Sequence, residues 1–355
     1  MKRKVATFFM AGGGTGGHVF PALAVARELR ARGHSVGFIG TRQGMEAKLV
    51  PAENFPIQWI EIGGLKRVGI RKTLRTLCDL PLSVWEASRM LRRAQPAAVF
   101  SMGGYVAGPV LLAALWSRIP VVVMEPNAVP GFTHRQLAHF VSRALVSFPE
   151  TGRWFPRGRA EVTGLPVREE LFAIPAKPPG KPLTLLITGG SQGSRTLNRA
   201  VEESWPLWPQ NALRLIHQTG VAAYQDLAGR SPFEVRAFID DMSKAYAQAD
   251  LVLCRSGMGT LSELAAAGKP SILVPLPTAS DHHQLRNAEA FEKGGAARLV
   301  LDQEMGGARL VEEVMRLVAE PERLTAMGEA ARAFAKPGAA RQAAEILESL
   351  AGLRH

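Results

Sequence analysis

Two cysteines in 355 residues, Cys78 and Cys254, with no Cys-x-x-Cys spacing, leave no material for a disulfide framework or a zinc ribbon. They point instead to a reducing compartment. No apolar run approaches the roughly 18 to 20 residues needed to span a bilayer. The longest, Val106–Trp116, is interrupted by Gly and Pro and gives way to Arg118. The first residues do not read as a secretory leader, because the apolar stretch Val5–Ala11 is short and runs into glycines. Only three tyrosines occur, and no motif that reads RNA or DNA, so nucleic acid is not an expected partner. Asp-x-Asp is absent, which counts against a nucleotide-sugar site clamped by a metal. Asp281, His282 and His283 do not make up for it: adjacent histidines on a helix point apart. No metal and no cofactor are therefore expected. The chain reads as cytosolic or as lying on a membrane surface.

What is present is globular: 46% hydrophobic and 21% charged residues, with 35 Gly and 24 Pro. The length suits about two domains. The net charge of +12 is unevenly spread. Residues 1–164 hold 22 Lys/Arg against 9 Asp/Glu, a net of +13, and residues 165–355 hold 21 against 22, a net of −1. One half is thus built to face a polyanion: nucleic acid, an anionic leaflet or a phosphorylated substrate. Within it, residues 66–93 place Lys66, Arg67, Arg71, Lys72, Arg75, Arg89, Arg92 and Arg93 among Leu74, Leu77, Leu80, Leu82 and Trp85, a pattern suited to an anionic lipid surface.

Short apolar runs alternate with amphipathic stretches. Val5–Met10, Val36–Ile39, Ile57–Ile60, Ala98–Ser101 and Val121–Met124 read as buried strands, with helices over Pro21–Arg32 and Leu82–Arg93. Leu183–Ile187, Leu213–His217, Val235–Ile239, Leu251–Cys254 and Ser271–Val274 repeat the pattern. This is the signature of βαβ units and parallel sheets. The Pro-, Gly- and Lys-rich segment Ala173–Pro182 reads as a surface connection near the domain boundary. Gly12, Gly13 and Gly16 follow a strand in the first half, and Gly189, Gly190 and Gly193 follow one in the second. Two similar nucleotide-type folds are expected, with an active site between them beyond the carboxyl ends of the strands.

The glycine-rich turns carry the chemistry. Residues 11–18, Ala-Gly-Gly-Gly-Thr-Gly-Gly-His, let backbone N–H groups approach a phosphate or diphosphate at a helix start. The turn spells Gly-x-Gly-x-x-Gly, but the second strand ends in Phe38-Ile39-Gly40-Thr41 with no acid for a ribose, so a dinucleotide site is not indicated. His18 stands where a P-loop needs Lys; it is a helix cap, a phosphate ligand or a general base. Ser191, Gln192 and Ser194 add side-chain donors to the turn at 188–195. Arg255-Ser-Gly-Met-Gly-Thr-Leu-Ser-Glu263 opens another helix, in which Ser256 and Thr260 cap the helix or hold phosphate and Glu263 is a candidate ribose ligand. Residues 101–109 form a further cradle. Glu125-Pro126-Asn127 ends a strand, and His283, Gln284 and Asn287 can share a helix face suited to sugar hydroxyls.

Eight segments in order, GGGTGGHVFPALA (12–24), SMGGYVAGP (101–109), EPNAVPG (125–131), VTGLPVR (162–168), TGGSQGSR (188–195), FIDDM (238–242), CRSGMGTLSE (254–263) and HHQLRNA (282–288), resemble the MurG family of UDP-N-acetylglucosamine–N-acetylmuramyl-(pentapeptide) pyrophosphoryl-undecaprenol N-acetylglucosamine transferases. The resemblance spans nearly the whole chain. It implies an α/β chain of GT-B fold, two Rossmann-like domains with parallel sheets facing across a cleft. Residues 1–164 would bind acceptor and membrane, 165–337 would bind UDP-GlcNAc, and a helix at about 338–355 would return to the first domain.

The resemblance also implies inverting transfer of N-acetylglucosamine from UDP-GlcNAc to the 4-hydroxyl of the muramyl sugar of lipid I (undecaprenyl-pyrophosphoryl-MurNAc-pentapeptide). Its product would be lipid II. The protein would work peripherally at the cytoplasmic face of the membrane, with cell-wall synthesis and division proteins as candidate partners. The implied catalytic residues are His18, first, and Glu125. The implied donor ligands are Thr15, Gly16, Gly17, Asn127, Arg168, Ser191, Gln192, Phe238, Ile239, Met258, Gly259, Thr260, Glu263, Gln284 and Asn287. Gly14, His18, Gly103, Gly104 and Tyr105 would face the acceptor. Two stretches depart from the family pattern: Met124-Glu125-Pro126-Asn127 where His-Glu-Gln-Asn is usual, and Met258-Gly259-Thr260 where Ala-Leu-Thr is usual. The alternatives are an enzyme like UDP-GlcNAc 2-epimerase, which shares the fold, and a non-catalytic nucleotide-sugar-binding scaffold at the membrane.

Overall fold

The structure, a computed structural model, describes residues 5–62, 69–176, 178–211, 213–279 and 282–353; within 69–78 it describes the backbone only. Lys66, Arg67 and Asp281 lie outside the described residues, as do the side chains of Arg71, Lys72, Leu74, Arg75 and Leu77. The chain divides into two compact units, one of residues 1–166 with 338–355 and one of 167–337.

The first unit runs β1 (Thr7–Gly12), α1 (Gly16–Ala31), β2 (Ser35–Gly40), α2 (Glu46–Ala52), β3 (Ile57–Trp59), α3 (Gly69–Ala94), β4 (Ala98–Gly103), α4 (Ala107–Trp116), β5 (Val121–Glu125), α5 (Phe132–Leu137), β6 (Arg143–Val146) and β7 (Ala160–Val162). Among the described residues these strands form one parallel sheet in the order β3-β2-β1-β4-β5-β6-β7. Helices cover both faces, so the strands are apolar throughout rather than alternating. Phe9, Ile39, Val99, Leu111 and Val121 fill the core on one side. Helix α1 starts at Gly16, so Pro21 lies inside it rather than at its first position.

The second unit runs β8 (Leu183–Thr188), α6 (Arg195–Ser204), β9 (Leu213–Gln218), α7 (Val221–Ala228), β10 (Glu234–Arg236), α8 (Met242–Gln248), β11 (Leu251–Cys254), α9 (Met258–Ala267), β12 (Ser271–Leu273), α10 (His283–Lys293), β13 (Ala297–Leu299), α11 (Gly307–Val318) and α12 (Pro321–Ala333). Its parallel sheet has the order β10-β9-β8-β11-β12-β13. Leu185, Ile187, Leu253, Leu310 and Val314 lie in its core. In both sheets the strand order reverses beside the first strand, between β1 and β4 and between β8 and β11. Loops there diverge and leave a crevice at the carboxyl ends.

The segment Ala173–Pro182 follows closely on the boundary at residues 166 and 167 and is exposed at Ala173, Pro175, Ala176, Pro178, Lys181 and Pro182; within it Ile174 is buried and its carbonyl accepts from the Arg332 guanidinium. One expectation is corrected. Strand β10 ends at Arg236, not at Ile239, because the Ile239 N–H is taken by a side chain instead of the ladder.

The last helix, α13 (Ala339–Leu350), packs on α1 in the first unit. Glu348 accepts from Arg32 Nη1 at 2.6 Å and from His34 Nε2 at 2.9 Å. Burial works against the Glu348 charge, but these two partners outweigh it and hold the carboxyl below its ordinary range.

Candidate active site

In the first unit the turn after β1 leads directly into α1. No side chain caps this helix, so the N–H groups of Gly16 and Gly17 are open to an anion, while the His18 N–H donates to the Thr15 carbonyl at 3.1 Å. His18, in the first turn, places Nδ1 3.1 Å from the Gly13 carbonyl and 3.3 Å from Thr15 Oγ1. A carbonyl only accepts, so Nδ1 carries the hydrogen in this bond. The neutral ring then has its lone pair on Nε2. The turn after β4 closes over this bond: a Cβ at Gly104 would sit 3.0 Å from the Gly13 oxygen and 3.3 Å from His18 Nδ1. Gly14, His18, Gly104 and Tyr105 are therefore brought together; the Tyr105 ring borders Gly14, and its hydroxyl lies 3.2 Å from Thr41 Oγ1.

The N–H of Gly14 is not one of the open donors, because Glu46 Oε2 accepts it at 2.8 Å. Glu46, the first residue of α2, is fully buried. Its Oε1 accepts from Thr41 N at 3.0 Å and Thr41 Oγ1 at 2.9 Å. A Cβ at Gly13, Gly40 or Gly44 would run into this side chain. Glycine at those three positions thus makes room for one buried acid.

Glu125, at the end of β5, is only 3% exposed, and both its oxygens are occupied. Oε1 accepts from Asn127 N at 3.1 Å and Asn127 Nδ2 at 2.9 Å. Oε2 accepts from Gly131 N and from His134 Nδ1, each at 2.9 Å. Burial disfavours the charge, yet His134 and the two backbone donors hold the carboxyl below its usual range. This carboxylate orients Asn127 and the 127–131 loop. His134 in turn lies against Gly103, with Nε2 3.5 Å from Ser101 Oγ.

In the second unit the turn after β8 is pinned from three directions. Gly193 has φ of 73°, and a Cβ there would collide with the Thr219 carbonyl, so both its backbone and its packing require glycine. Ser194 caps α6, accepting from Leu197 N at 3.3 Å and from Arg255 Nη2 at 2.8 Å. The same Arg255 is paired with Asp302, whose other oxygen accepts from Thr196. Ser191 and Gln192 remain exposed at the tip.

The buried Gln218, at the end of β9, ties this turn to the segment after β10. Its amide nitrogen donates to Thr188 Oγ1 at 3.1 Å and to the Gly190 carbonyl at 2.9 Å, and its oxygen accepts from Ile239 N at 2.8 Å. Ile239 is buried, and the neighbouring Phe238 is 50% exposed, a flat apolar face open to a planar ligand.

After β11, Ser256 does not cap α9 as its position suggested. Its hydroxyl donates to the Gln284 carbonyl at 2.8 Å. The cap residue is Gly257, with no side-chain cap, so the N–H groups of Met258, Gly259 and Thr260 are left open at the helix start. Gln284 lies close by: its Oε1 accepts from Leu276 N at 3.0 Å, and its Nε2 borders Gly257. Asn287 is fully buried, with its amide 3.5 Å from the Ser256 carbonyl, so it supports this loop from beneath.

One turn into α9, Glu263 accepts from Tyr246 Oη at 3.0 Å and pairs with Arg168 at 3.5 Å. Burial raises the Glu263 carboxyl above its ordinary range, while Arg168 and Tyr246 pull it back. The neighbouring Cys254 thiol is pushed up to about 12 by burial, with the Glu263 charge adding to the effect, so it is inert.

Sequence reasoning missed Glu46, Gln218, Tyr246 and His134. Glu46, Gln218 and His134 act on glycine-rich turns and Tyr246 on Glu263 in α9, and none of the four stands in a motif. The one available signal was a polar residue closing an apolar strand, as in the run Leu213–Gln218.

Models of the glycosyltransferase family 28 N-terminal domain and C-terminal domain match residues 8–146 and 184–343. A protein of Solibacter usitatus called UDP-N-acetylglucosamine–N-acetylmuramyl-(pentapeptide) pyrophosphoryl-undecaprenol N-acetylglucosamine transferase is 60% identical over 98% of this chain and 96% of its own length. The chain belongs to glycosyltransferase family 28, and within it to the MurG family. The crystal structure of MurG from Acinetobacter baumannii aligns with a TM-score of 0.81 at 36% identity, covering 97% of this chain and 99% of the other. The fold is GT-B, and the protein is a glycosyltransferase. UDP-GlcNAc 2-epimerase from Neisseria meningitidis shares that fold at 14% identity and a TM-score of 0.65, over 97% of this chain and 99% of its own.

Proposed function

We propose that this family 28 enzyme transfers N-acetylglucosamine from UDP-GlcNAc to the 4-hydroxyl of the muramyl sugar of undecaprenyl-pyrophosphoryl-MurNAc-pentapeptide, with inversion at the anomeric carbon. The observation that carries the reading is the 60% identity, along nearly the whole chain, with the relative named for that reaction. The local geometry supports it: each unit offers an uncapped helix start behind a glycine-rich turn.

In this reading the second unit holds the donor. The open N–H groups at Met258–Thr260 receive the diphosphate, Glu263 and Arg168 the ribose, and Phe238 with Ile239 the uracil. Ser191, Gln192 and Gln284 lie along the donor, with Asn287 beneath. The first unit holds the acceptor diphosphate at His18 and Gly103–Tyr105, and Thr15, Gly16, Gly17 and Asn127 serve the donor, as the resemblance implies. The acceptor hydroxyl oxygen attacks the anomeric carbon as the bond to the UDP oxygen breaks. His18 Nε2 takes the hydroxyl proton, and the helix dipole at α9 stabilises the charge left on UDP. Glu125, fully hydrogen-bonded and held ionised, positions Asn127.

The acceptor's lipid tail requires the enzyme to work at a membrane. Among the described residues no helix is long and apolar enough to cross one. Leu82 and Trp85 on α3 and Trp116 at the end of α4 are 56%, 53% and 85% exposed, with Arg89, Arg92 and Arg93 nearby in sequence. These would rest on an anionic leaflet at its cytoplasmic face, where each cation contributes about 1 kcal/mol.

A UDP-release assay with UDP-GlcNAc or UDP-GalNAc, with and without a lipid I analogue, tests the reading. Release that requires both UDP-GlcNAc and the analogue is expected. UDP release, or an epimerised sugar, without acceptor would contradict it.

A further inference from the structure

The peptide group between Gly13 and Gly14 is held at both ends. Its carbonyl accepts from His18 Nδ1 at 3.1 Å, and its N–H donates to Glu46 Oε2 at 2.8 Å. One rigid planar unit therefore lies between a buried carboxylate and the imidazole. We propose that Glu46 is a positioning residue for His18, acting through the Gly13–Gly14 peptide group as a carboxylate acts directly on the histidine of a hydrolase triad. The inference rests on the reading of His18 as the general base.

The carboxylate is well fixed for this role. Three donors, Gly14 N, Thr41 N and Thr41 Oγ1, converge on its two oxygens, and the side chain has no exposure to water. The Tyr105 hydroxyl continues the network from Thr41 Oγ1 at 3.2 Å. Space for the carboxylate comes from Gly13, Gly40 and Gly44, where any Cβ would strike it. A turn needed only for phosphate would not require Gly40 or Gly44, which stand on β2 and before α2.

The physical effect is polarisation along a hydrogen-bonded chain. A negative charge on the amide hydrogen draws electron density toward the carbonyl oxygen and makes it a stronger acceptor. The Nδ1–H bond tightens, the ring is held with Nε2 as its basic nitrogen, and the imidazolium formed by proton transfer is stabilised. Gly104 lies against the Gly13 carbonyl, and both hydrogen bonds of this chain are partly buried, which strengthens them relative to bulk water. Among the described residues, the ionisable groups of this network are His18, Glu46 and Tyr105.

The test is a double-mutant cycle with Glu46→Gln and His18→Ala, reading kcat, KM for UDP-GlcNAc and the pH–rate profile. Glutamine keeps the volume but sets an amide N–H against either Gly14 or Thr41. We expect kcat to fall at least about tenfold, as when a partner behind a reacting group is removed. The acid limb of the profile should move to lower pH, with KM for UDP-GlcNAc unchanged. In the His18→Ala background the same change should cost nothing further. An equal loss in both backgrounds, or native kcat with an unmoved acid limb, overturns the proposal. Native turnover by His18→Ala alone would instead remove the base reading beneath it. Should Glu46→Gln fail to fold, Glu46→Asp is read: its shorter reach should cost a similar factor in kcat, and native kcat would overturn the proposal.

Discussion

Tyr246 Oη donates to Glu263 Oε2 at 3.0 Å, tying a fully buried phenol in α8 to the carboxylate one turn into α9. Burial and the adjacent Glu263 charge raise the Tyr246 hydroxyl well above its ordinary range, so it stays a donor. Arg168, on the other side, approaches Oε1. A carboxylate oriented from both sides suits the ribose contact proposed for it.

Tyr246→Phe should therefore weaken donor binding without touching the chemistry. One lost hydrogen bond to a charged group corresponds to about 1.5 kcal/mol, or a roughly tenfold higher KM for UDP-GlcNAc, with kcat unchanged. The carboxyl should also rise further, so donor affinity should begin to fall at a higher pH than in the native enzyme. Steady-state kinetics across pH check both. A drop in kcat with KM constant would contradict this role.

His217, in β9, is pushed down to about 4 by burial, with Nε2 bonded to Asn198 Oδ1 at 3.0 Å. Its folded value lies below the unfolded value of about 6.5, so the unfolded chain binds the extra proton. The stability due to this difference is complete above about pH 6.5 and is lost as pH falls toward 4. Between pH 8 and pH 5 the loss should be about 2 kcal/mol from this residue alone. Denaturant unfolding of His217→Gln should show a pH dependence reduced by that amount; an unchanged dependence would contradict it.

Membrane contact is carried by Trp85 and Trp116 in this account. Replacing both by Ser should reduce flotation with anionic vesicles about tenfold or more, and raised salt should weaken what remains. UDP binding should be unaffected. Equal flotation of the native and double-variant proteins, or binding indifferent to anionic lipid, would count against this face.

His18→Ala should lower kcat by about 10² to 10⁴, the range for loss of a positioned base. Calorimetric affinity for UDP should stay at the native value, because the ring lies in the first unit. A matched loss of both would point to misfolding, and native kcat would remove His18 from the mechanism.

The sequence made the architecture legible because parallel sheets covered on both faces need continuous apolar runs, and those runs, from Phe8–Ala11 to Leu251–Cys254, stand between glycine turns. The turns were legible for a similar reason: glycine in such numbers has few other uses. Strands β6, β7 and β13 were not read, since a charged residue in each, Arg143, Glu161 or Arg298, shortens an already short apolar run. The residues behind the turns were hidden for a different reason. Glu46 reads as an ordinary acid in a helix first turn until three glycines from other segments are seen to surround it. Ser256 reads as a cap until Gln284, almost 30 positions away, is found to hold its hydroxyl.

The most direct measurement is the structure of the product. The enzyme is incubated with UDP-GlcNAc and a lipid I analogue, and the acceptor is examined by NMR and mass spectrometry. The account predicts one added N-acetylglucosamine in β linkage to the 4-oxygen of the muramyl sugar, with one UDP released per linkage formed. An unmodified acceptor beside an epimerised or hydrolysed sugar, or a product with the anomeric configuration retained, would contradict it.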